Sequence, residues 1–305
     1  MKAFTATGRP DRTVQISDVP QPEPRPDEVL VKVDAYSVNR GETFLLESPR
    51  PGWRPGKDVA GLVVQAAADG SGPAVGQRVV AHPPASGWAE YVAVPTGSVA
   101  RLPEQVTAVC AAALPLAGLT ALRLLRAAGG VAGKRVLLTG ASGGVGHYFV
   151  ELATAAGALV TAVSGSPERG SRLAELGATV VQRVEDAEGP FDLVLESTGG
   201  ANLALALGRL VPRGELIWFG QASREPATLS FFDLLYGPVS ATIRHFSYAD
   251  ADQPYAADLQ TLVRLVAEGR LHPEIGLVED WSRTDDVLTE LRGRRIRGNA
   301  VLTLS

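Results

Sequence analysis

Apolar and polar residues change their rhythm about a third of the way along the chain. In the first part the apolar positions come in short runs, residues 29–37, 59–64, 77–81 and 89–94, each bounded by glycine or proline. Runs of this length predict β-strands separated by turns. Pro20, Pro22, Pro24 and Pro26 precede the first run. A ring-fixed φ and a missing N–H keep such a segment out of a central ladder, so residues 19–26 predict an extended connection. The strands together predict a compact, mostly β, barrel-like domain.

From Val109 onward helical and strand patterns alternate. Residues 111–116 and 120–128 predict helices, with Gly118 between them and Gly129-Gly130 as a stop. Strands follow at residues 135–139, 159–163, 179–181, 191–196, 215–219 and 241–244, with helices at 145–156, 168–176 and 202–210. Continuously apolar strands that alternate with helices are buried on both faces, which predicts an α/β, doubly wound parallel sheet. The tail predicts one more helix at 255–268, stopped by Gly269, and a strand at 299–304 that can return to the first domain. The expected division is residues 1–115 for the β domain, 116–246 for the α/β domain and 247–305 for a segment that completes the first.

Within the α/β pattern, the run from Val136 to Gly146 reads as a buried strand that breaks into a glycine turn and opens a helix. That is the arrangement that holds a dinucleotide pyrophosphate: backbone approaches the phosphates at Gly143, Gly146 allows helix and strand to pack closely, and the helix N-terminus offers N–H groups. Ser142, Gly143, Gly144 and Val145 are the expected contacts, although Ala141 stands where the usual pattern begins with glycine. At the end of the next strand an NAD enzyme carries a carboxylate for the ribose 2′-hydroxyl, and here Ser164 takes that place, followed by Arg169. An uncharged strand end beside a guanidinium favours a 2′-phosphate, hence NADPH, with Arg172 as a second cation of the same helix. Thr198, which follows the fourth strand, and Gly220 and Gln221, which follow the fifth, fall where ligands meet an open α/β sheet.

Composition narrows the classes. The chain has 305 residues, 45% hydrophobic and 20% charged, enough for a sizeable core or two domains. Its 29 basic and 33 acidic side chains give a net charge of −4, with no basic block suited to nucleic acid. A single cysteine, Cys110, rules out an internal disulfide and a zinc site built from several thiolates. His82, His147, His245 and His272 lack helical metal-pair spacing, so no metal is expected. His147, in the first turn of the phosphate helix, either senses the cofactor or lies on the helix surface. No long apolar stretch predicts a signal peptide or membrane span, so the cytoplasm is the expected location.

Five ordered motifs give the chain a resemblance to a known family: Ser37-Val38-Asn39-Arg40, Pro55 to Gly61, Gly87 to Val92, Ala113 to Ala121, and the glycine turn. Over essentially its whole length the chain resembles the medium-chain dehydrogenase/reductase superfamily, in its zinc-independent quinone oxidoreductase branch. The resemblance implies a GroES-like substrate domain completed by the tail, a Rossmann domain between, and an active cleft where the two meet. Zinc alcohol dehydrogenases of that superfamily carry Cys where this chain has Asn39, and a His-Glu pair where it has Lys57-Asp58. Without such ligands the expected chemistry moves from alcohol oxidation to hydride reduction of a quinone or an electron-poor C=C.

As hydride arrives, negative charge grows on the acceptor's oxygen and calls for a hydrogen-bond donor. Asn39 is the first candidate, since the resembling branch keeps Asn near the nicotinamide; capping the turn after the preceding strand is its other reading. Tyr36 and Lys57 are further candidates. Quinone reductases often carry Tyr where this chain has Phe44, which implies either protonation by solvent or a more apolar substrate pocket. Phe44, Trp53, Trp88, Phe231, Phe232 and Tyr236 either line an acceptor pocket or belong to the core. The function expected is NADPH-dependent reduction of a quinone or enone, with enoyl reduction or cyclisation of a biosynthetic intermediate, or non-catalytic NADPH binding, as alternatives. A homodimer paired through the apolar stretch 239–243 is expected by resemblance and because an unpaired edge strand invites a partner.

Overall fold

The computed structural model describes every residue except Pro10 and Ser305. The chain divides into two compact units, Met1–Leu119 with Asp252–Ser305, and Thr120–Ala251.

The first unit opens with a hairpin of β1 (Lys2–Ala6) and β2 (Val14–Asp18). It continues through β3 (Glu28–Val38), α1 (Arg40–Leu45), β4 (Val59–Gln65), β5 (Arg78–Ala81), β6 (Tyr91–Pro95), β7 (Val99–Arg101), α2 (Ala108–Ala112) and the start of α3 (Pro115–Ala127). The second unit carries β8 (Arg135–Leu138), α4 (Gly144–Ala155), β9 (Leu159–Val163), α5 (Pro167–Glu175), β10 (Thr179–Val181), β11 (Phe191–Glu196), α6 (Ala201–Leu207), β12 (Leu210–Trp218), α7 (Phe231–Tyr236) and β13 (Thr242–His245). The chain then re-enters the first unit with α8 (Tyr255–Ala267), β14 (Ile275–Asp280), α9 (Thr284–Arg292) and β15 (Asn299–Thr303).

In the first unit a seven-stranded sheet runs β14-β15-β3-β4-β5-β7, with β6 also on β3. The tail's strand β15 lies antiparallel to β3 in the register Ala300↔Val38 to Thr303↔Ala35. Along β3, Val31, Val33 and Ala35 are buried while Lys32 and Asp34 face water, the period-two alternation of a half-buried strand. Beneath the sheet Trp88 is fully buried; its Nε1 donates to the Ser37 carbonyl at 3.1 Å and its ring stacks on Tyr36, centroids 5.7 Å apart.

The helical stretch around Gly118 differs from the expectation. Helix α3 starts at Pro115 and runs through Gly118 instead of breaking there. Proline suits a first helical position, where its missing N–H costs nothing. Gly118 is a contact point: a Cβ there would stand 3.0 Å from Leu262 Cδ1 on α8. Strands β1, β2, β7 and β14 and helices α1, α7 and α9 were not expected from the sequence.

The second unit holds six parallel strands in the order β10-β9-β8-β11-β12-β13. Strand β8 has β9 on one side and β11 on the other, so the chain changes direction across the sheet there. At such a switch point the loops leaving the strands' C-terminal ends diverge and open a crevice. Leu137, Phe191, Val194 and Leu216 form the core on one face. Among the described residues no helix is long and apolar enough to cross a membrane.

Candidate active site

Between β8 and α4 the turn folds tightly against its neighbours. Ala141 N–H donates to the Val163 carbonyl at 3.1 Å, and Gly143 N–H to that of Gly140 at 3.2 Å. Gly140 has φ +62°, and a Cβ on it would lie 2.6 Å from Ser197 Oγ. Gly146 is required for another reason: its Cβ would fall 2.0 Å from the Ala141 carbonyl oxygen, so only glycine lets α4 approach the turn this closely. Gly143 differs from both. It is the N-cap of α4, with φ −84° and no side-chain cap, and a Cβ would meet nothing nearer than the Gly140 carbonyl at 3.5 Å. The protein's own packing does not demand glycine there; a ligand resting on the helix N-terminus would. Gly143, Gly144 and Val145 are half-buried beside the buried Ser142, and the first-turn N–H groups have no intrahelical acceptor. The residues present therefore fit a bound diphosphate.

His147 is buried, correcting its expected place on the helix surface. Its Nδ1 donates to the Gly143 carbonyl at 3.0 Å, so the ring supports the turn from beneath.

The turn after β9 is built around Ser164 and Ser166. Ser166 caps α5 by accepting Arg169 N–H at 3.2 Å, which sets the half-buried Arg169 in the helix's first turn. Ser164 is 1% exposed and gives its hydroxyl proton to the Ser166 carbonyl at 3.1 Å. It is a brace of the turn and not the direct cofactor contact expected of it. Arg172 pairs with Glu175 at 2.8 Å.

Glu196, which closes β11, escaped the sequence reading. It is fully buried, and Oε1 accepts Thr139 Oγ1 at 3.0 Å, Thr198 N at 2.9 Å and Thr198 Oγ1 at 2.5 Å, while Oε2 accepts Gly199 N at 3.0 Å. This carboxylate ties the end of β8 to the loop after β11. It also takes up the one hydroxyl proton of Thr198, which ties that side chain to the end of β11. The loop after β12 is strapped to the same place: Ala222 N and Ser223 N donate to the Ser197 and Thr198 carbonyls at 2.9 and 2.7 Å. Trp218 Nε1 donates to the Gly220 carbonyl at 2.6 Å, and Gln221 Nε2 to that of Glu225 at 2.9 Å. The loops bearing Gly143, Arg169, Gly199 and Gly220 all leave C-terminal ends of parallel strands, along one edge of the sheet.

In the first unit the candidates sort differently. Tyr36 is fully buried and its hydroxyl lies 2.6 Å from Thr284 Oγ1, whose own proton goes to the Trp281 carbonyl. Tyr36 is a core residue and not a catalytic one; burial also pushes its phenol well above its ordinary range. Trp88 is likewise core. Phe44 is half-buried, with the Arg40 guanidinium 6.0 Å from its ring centre. Phe231, Phe232 and Tyr236 stand exposed on α7, where Phe232 meets Phe231 edge-on and stacks on Tyr236. Lys57 is half-buried in the turn before β4.

Asn39 sits at the centre of a buried polar cluster. It is the N-cap of α1, and its backbone N–H donates to Glu42 Oε2 at 3.0 Å while Gly56 N–H donates to Glu42 Oε1 at 2.9 Å. The Asn39 amide Nδ2 donates to Asp58 Oδ2 at 2.6 Å. Asp58, fully buried, also accepts Ser37 Oγ at 2.8 Å, Leu116 N at 2.9 Å and His82 Nδ1 at 3.3 Å. Desolvation, then the nearby Asp58 charge, pushes Glu42 from its ordinary 4.5 up to about 8, against the two backbone N–H groups and Lys57. The Asn39 backbone thus opens the helix, while Asp58 takes up one of the two hydrogens on its side-chain Nδ2.

Two family descriptions match this architecture, an alcohol dehydrogenase GroES-like domain over residues 25–104 and a zinc-binding dehydrogenase domain over residues 144–268. The quinone oxidoreductase of Lama guanicoe is 31% identical over 320 residues, covering 97% of this chain and 95% of the relative. A 2-methylene-furan-3-one reductase of Solanum lycopersicum is 32% identical over 249 residues, 70% of this chain and 64% of the relative. Among solved structures, a mycobacterial protein complexed with NADPH superposes with a TM-score of 0.89 at 26% identity, over 99% of this chain and all of the other. A GroES-like domain joined to a Rossmann-type sheet defines the medium-chain dehydrogenase/reductase class, and this chain belongs to its quinone oxidoreductase family.

Proposed function

We propose that this chain is a cytoplasmic, NADPH-dependent reductase that delivers hydride to a quinone or an α,β-unsaturated carbonyl compound without a metal ion. The observation that carries the reading is the uncapped N-terminus of α4, where Gly143 leaves room that the protein does not fill. Bound there, NADPH supplies the hydride. Gly143, Gly144 and Val145 would offer backbone N–H groups to the diphosphate, and the loops at Thr198 and Gly220–Gln221 would wall the groove through backbone and shape. Arg169 would pair with the 2′-phosphate, since no carboxylate ends β9 to repel it. The solved NADPH complex of the mycobacterial neighbour supports this choice.

Asn39 would donate its free amide hydrogen to the acceptor oxygen as charge develops there. Lys57 adds a positive charge in the turn before β4, near enough to act on Glu42. Zinc independence is supported by the residues at the three positions concerned: Asn39 and Asp58 are bonded to one another, Lys57 is a cation, and both oxygens of Asp58 are already occupied. The tomato relative's name describes reduction of a conjugated ketone, which supports enones beside quinones as acceptors. Self-association through β13 completes the proposal: β13 is an edge strand, and Val239 and Ile243 beside Phe231 and Tyr236 are exposed. A mass measurement in solution tests it, with a monomer as the refuting result.

The activity is tested by mixing the purified protein with NADPH, a metal chelator and a panel of quinones and enones, and following the loss of nicotinamide absorbance. Turnover that survives the chelator is the expected result. NADPH binding without consumption on any acceptor would refute the reductase, and activity restored only by zinc would refute the metal-free reading.

A further inference from the structure

A carboxylate oxygen pair offers about four lone-pair directions, and in Asp58 a donor fills each. Oδ2 accepts Asn39 Nδ2 at 2.6 Å and Ser37 Oγ at 2.8 Å; Oδ1 accepts Leu116 N at 2.9 Å and His82 Nδ1 at 3.3 Å. The donors come from the end of β3, the cap of α1, the first turn of α3 and the residue after β5. Turning this carboxylate means breaking bonds to four segments at once. Because a carboxylate only accepts, Asn39 has to present its nitrogen to Asp58, which settles which way the amide lies. One Nδ2 hydrogen is spent on that bond. The other remains, in the amide plane and about 120° from the first by sp² geometry. The Asn39 main chain cannot drift either, since Glu42 holds its N–H and, through Gly56, the segment that carries Asp58.

We propose that Asp58 is a positioning residue: it locks the Asn39 amide so that the one remaining Nδ2 hydrogen is fixed toward the acceptor oxygen of the substrate. Ser37, His82 and the Leu116 N–H serve to hold Asp58 in that role. The proposal rests on the reading of Asn39 as the donor given above. It departs from a purely structural role, in which the cluster contributes to folding alone.

The test is steady-state reduction of benzoquinone by NADPH with Asp58→Asn, Asn39→Ala and the double variant, alongside urea unfolding of each. Asparagine at 58 keeps the shape but presents one acceptor and one donor, so the Asn39 amide is free to turn. Asp58→Asn is expected to lower kcat by about 10- to 100-fold, as misorientation of a reacting group does, with KM for NADPH within about threefold. Asn39→Ala should lower kcat at least as far, in the range of a lost oxyanion donor, about 100-fold. The double variant should turn over no more slowly than Asn39→Ala alone, because nothing is left to position, while its stability loss exceeds that of either single variant. A non-activity readout accompanies these: the Asn39 side-chain amide hydrogens, identified by their loss in Asn39→Ala, should give a widely separated NMR pair in the parent protein and a collapsed one in Asp58→Asn.

Full kcat in Asn39→Ala would overturn the donor reading and this proposal with it. Loss of turnover in Asn39→Ala with full turnover in Asp58→Asn would overturn the positioning role alone, as would kcat losses that multiply in the double variant. If Asp58→Asn does not fold, Asp58→Glu, which keeps the acceptor but displaces it by one methylene, carries the same comparison: a kcat loss that vanishes on the Asn39→Ala background supports the proposal, and unchanged kcat overturns it.

Discussion

Replacing Glu42 by Gln should change how stability depends on pH as well as its size. In the unfolded chain Glu42 loses its proton near 4.5; in the folded chain, fully buried beside Asp58, it keeps the proton to about 8. Between those values the folded state binds more protons than the unfolded one, so stability falls as pH rises, from full strength below the lower value to complete loss of this contribution above the upper one. A separation of that size corresponds to roughly 5 kcal/mol over the whole window at 1.36 kcal/mol per pH unit. Gln does not titrate, so that slope disappears. It also accepts only once, which leaves either Asn39 N–H or Gly56 N–H facing an amide NH₂, at a cost of about 1–3 kcal/mol that does not vary with pH. The two effects have opposite outcomes at the two ends: the parent should be the more stable protein below pH 5, and the gap should close or invert above pH 8. Urea unfolding at several pH values, followed by tryptophan fluorescence, measures this, since Trp53, Trp88 and Trp281 all lie in the unit that holds Glu42. Subtracting the two stabilities at each pH cancels the titration of other groups such as Asp34, whose carboxyl is also raised by burial. A difference that stays constant between pH 5 and 8 would refute the buried, protonated Glu42.

Two glycines of the phosphate turn should respond in opposite ways. Gly143→Ala should leave stability unchanged or raised by about 0.4–1 kcal/mol through the unfolded chain, since its φ is ordinary and its Cβ meets no clash, yet weaken NADPH in a fluorescence titration. Gly146→Ala should lower both NADPH affinity and thermal stability, the latter by about 1–3 kcal/mol, because its Cβ lands 2.0 Å from the Ala141 oxygen. Tyr36→Phe should keep kcat and lose only about 1 kcal/mol in chemical unfolding, since the hydroxyl serves Thr284 alone; a tenfold loss of kcat would return Tyr36 to the reaction.

What could be read from the chain, and what could not, divides along physical lines. Strands β8 and β11 carry the buried apolar runs Val136 to Leu138 and Leu193 to Leu195, and their signal is local. Strand β14 shows no such run: Ile275 and Leu277 are half-buried while Val278 and Glu279 face water, and the strand owes its existence to β15. Gly118 was misread as a helix break because its partner, Leu262, is far away in sequence. The glycine turn was legible since backbone freedom is a property of single residues, as is the charge that makes Arg169 a candidate. Asp58 and Glu196 were not, because a buried carboxylate is stable only through its donors: those of Asp58 lie 19, 21, 24 and 58 positions away, and Thr139 reaches Glu196 across 57. Pairing at such distances has no local pattern, whereas Asn39 could be named from its motif but not oriented.

Whether a coenzyme with a 2′-phosphate on its adenosine ribose rests its diphosphate on the α4 turn and its 2′-phosphate on Arg169 is decided by binding NADPH and NADH to the parent protein and to Arg169→Ala. The parent should prefer NADPH, and the substitution should weaken NADPH by about 10-fold or more, the scale of one charge-assisted pair, while NADH changes little. Equal losses for the two coenzymes, or no preference in the parent, would contradict that placement.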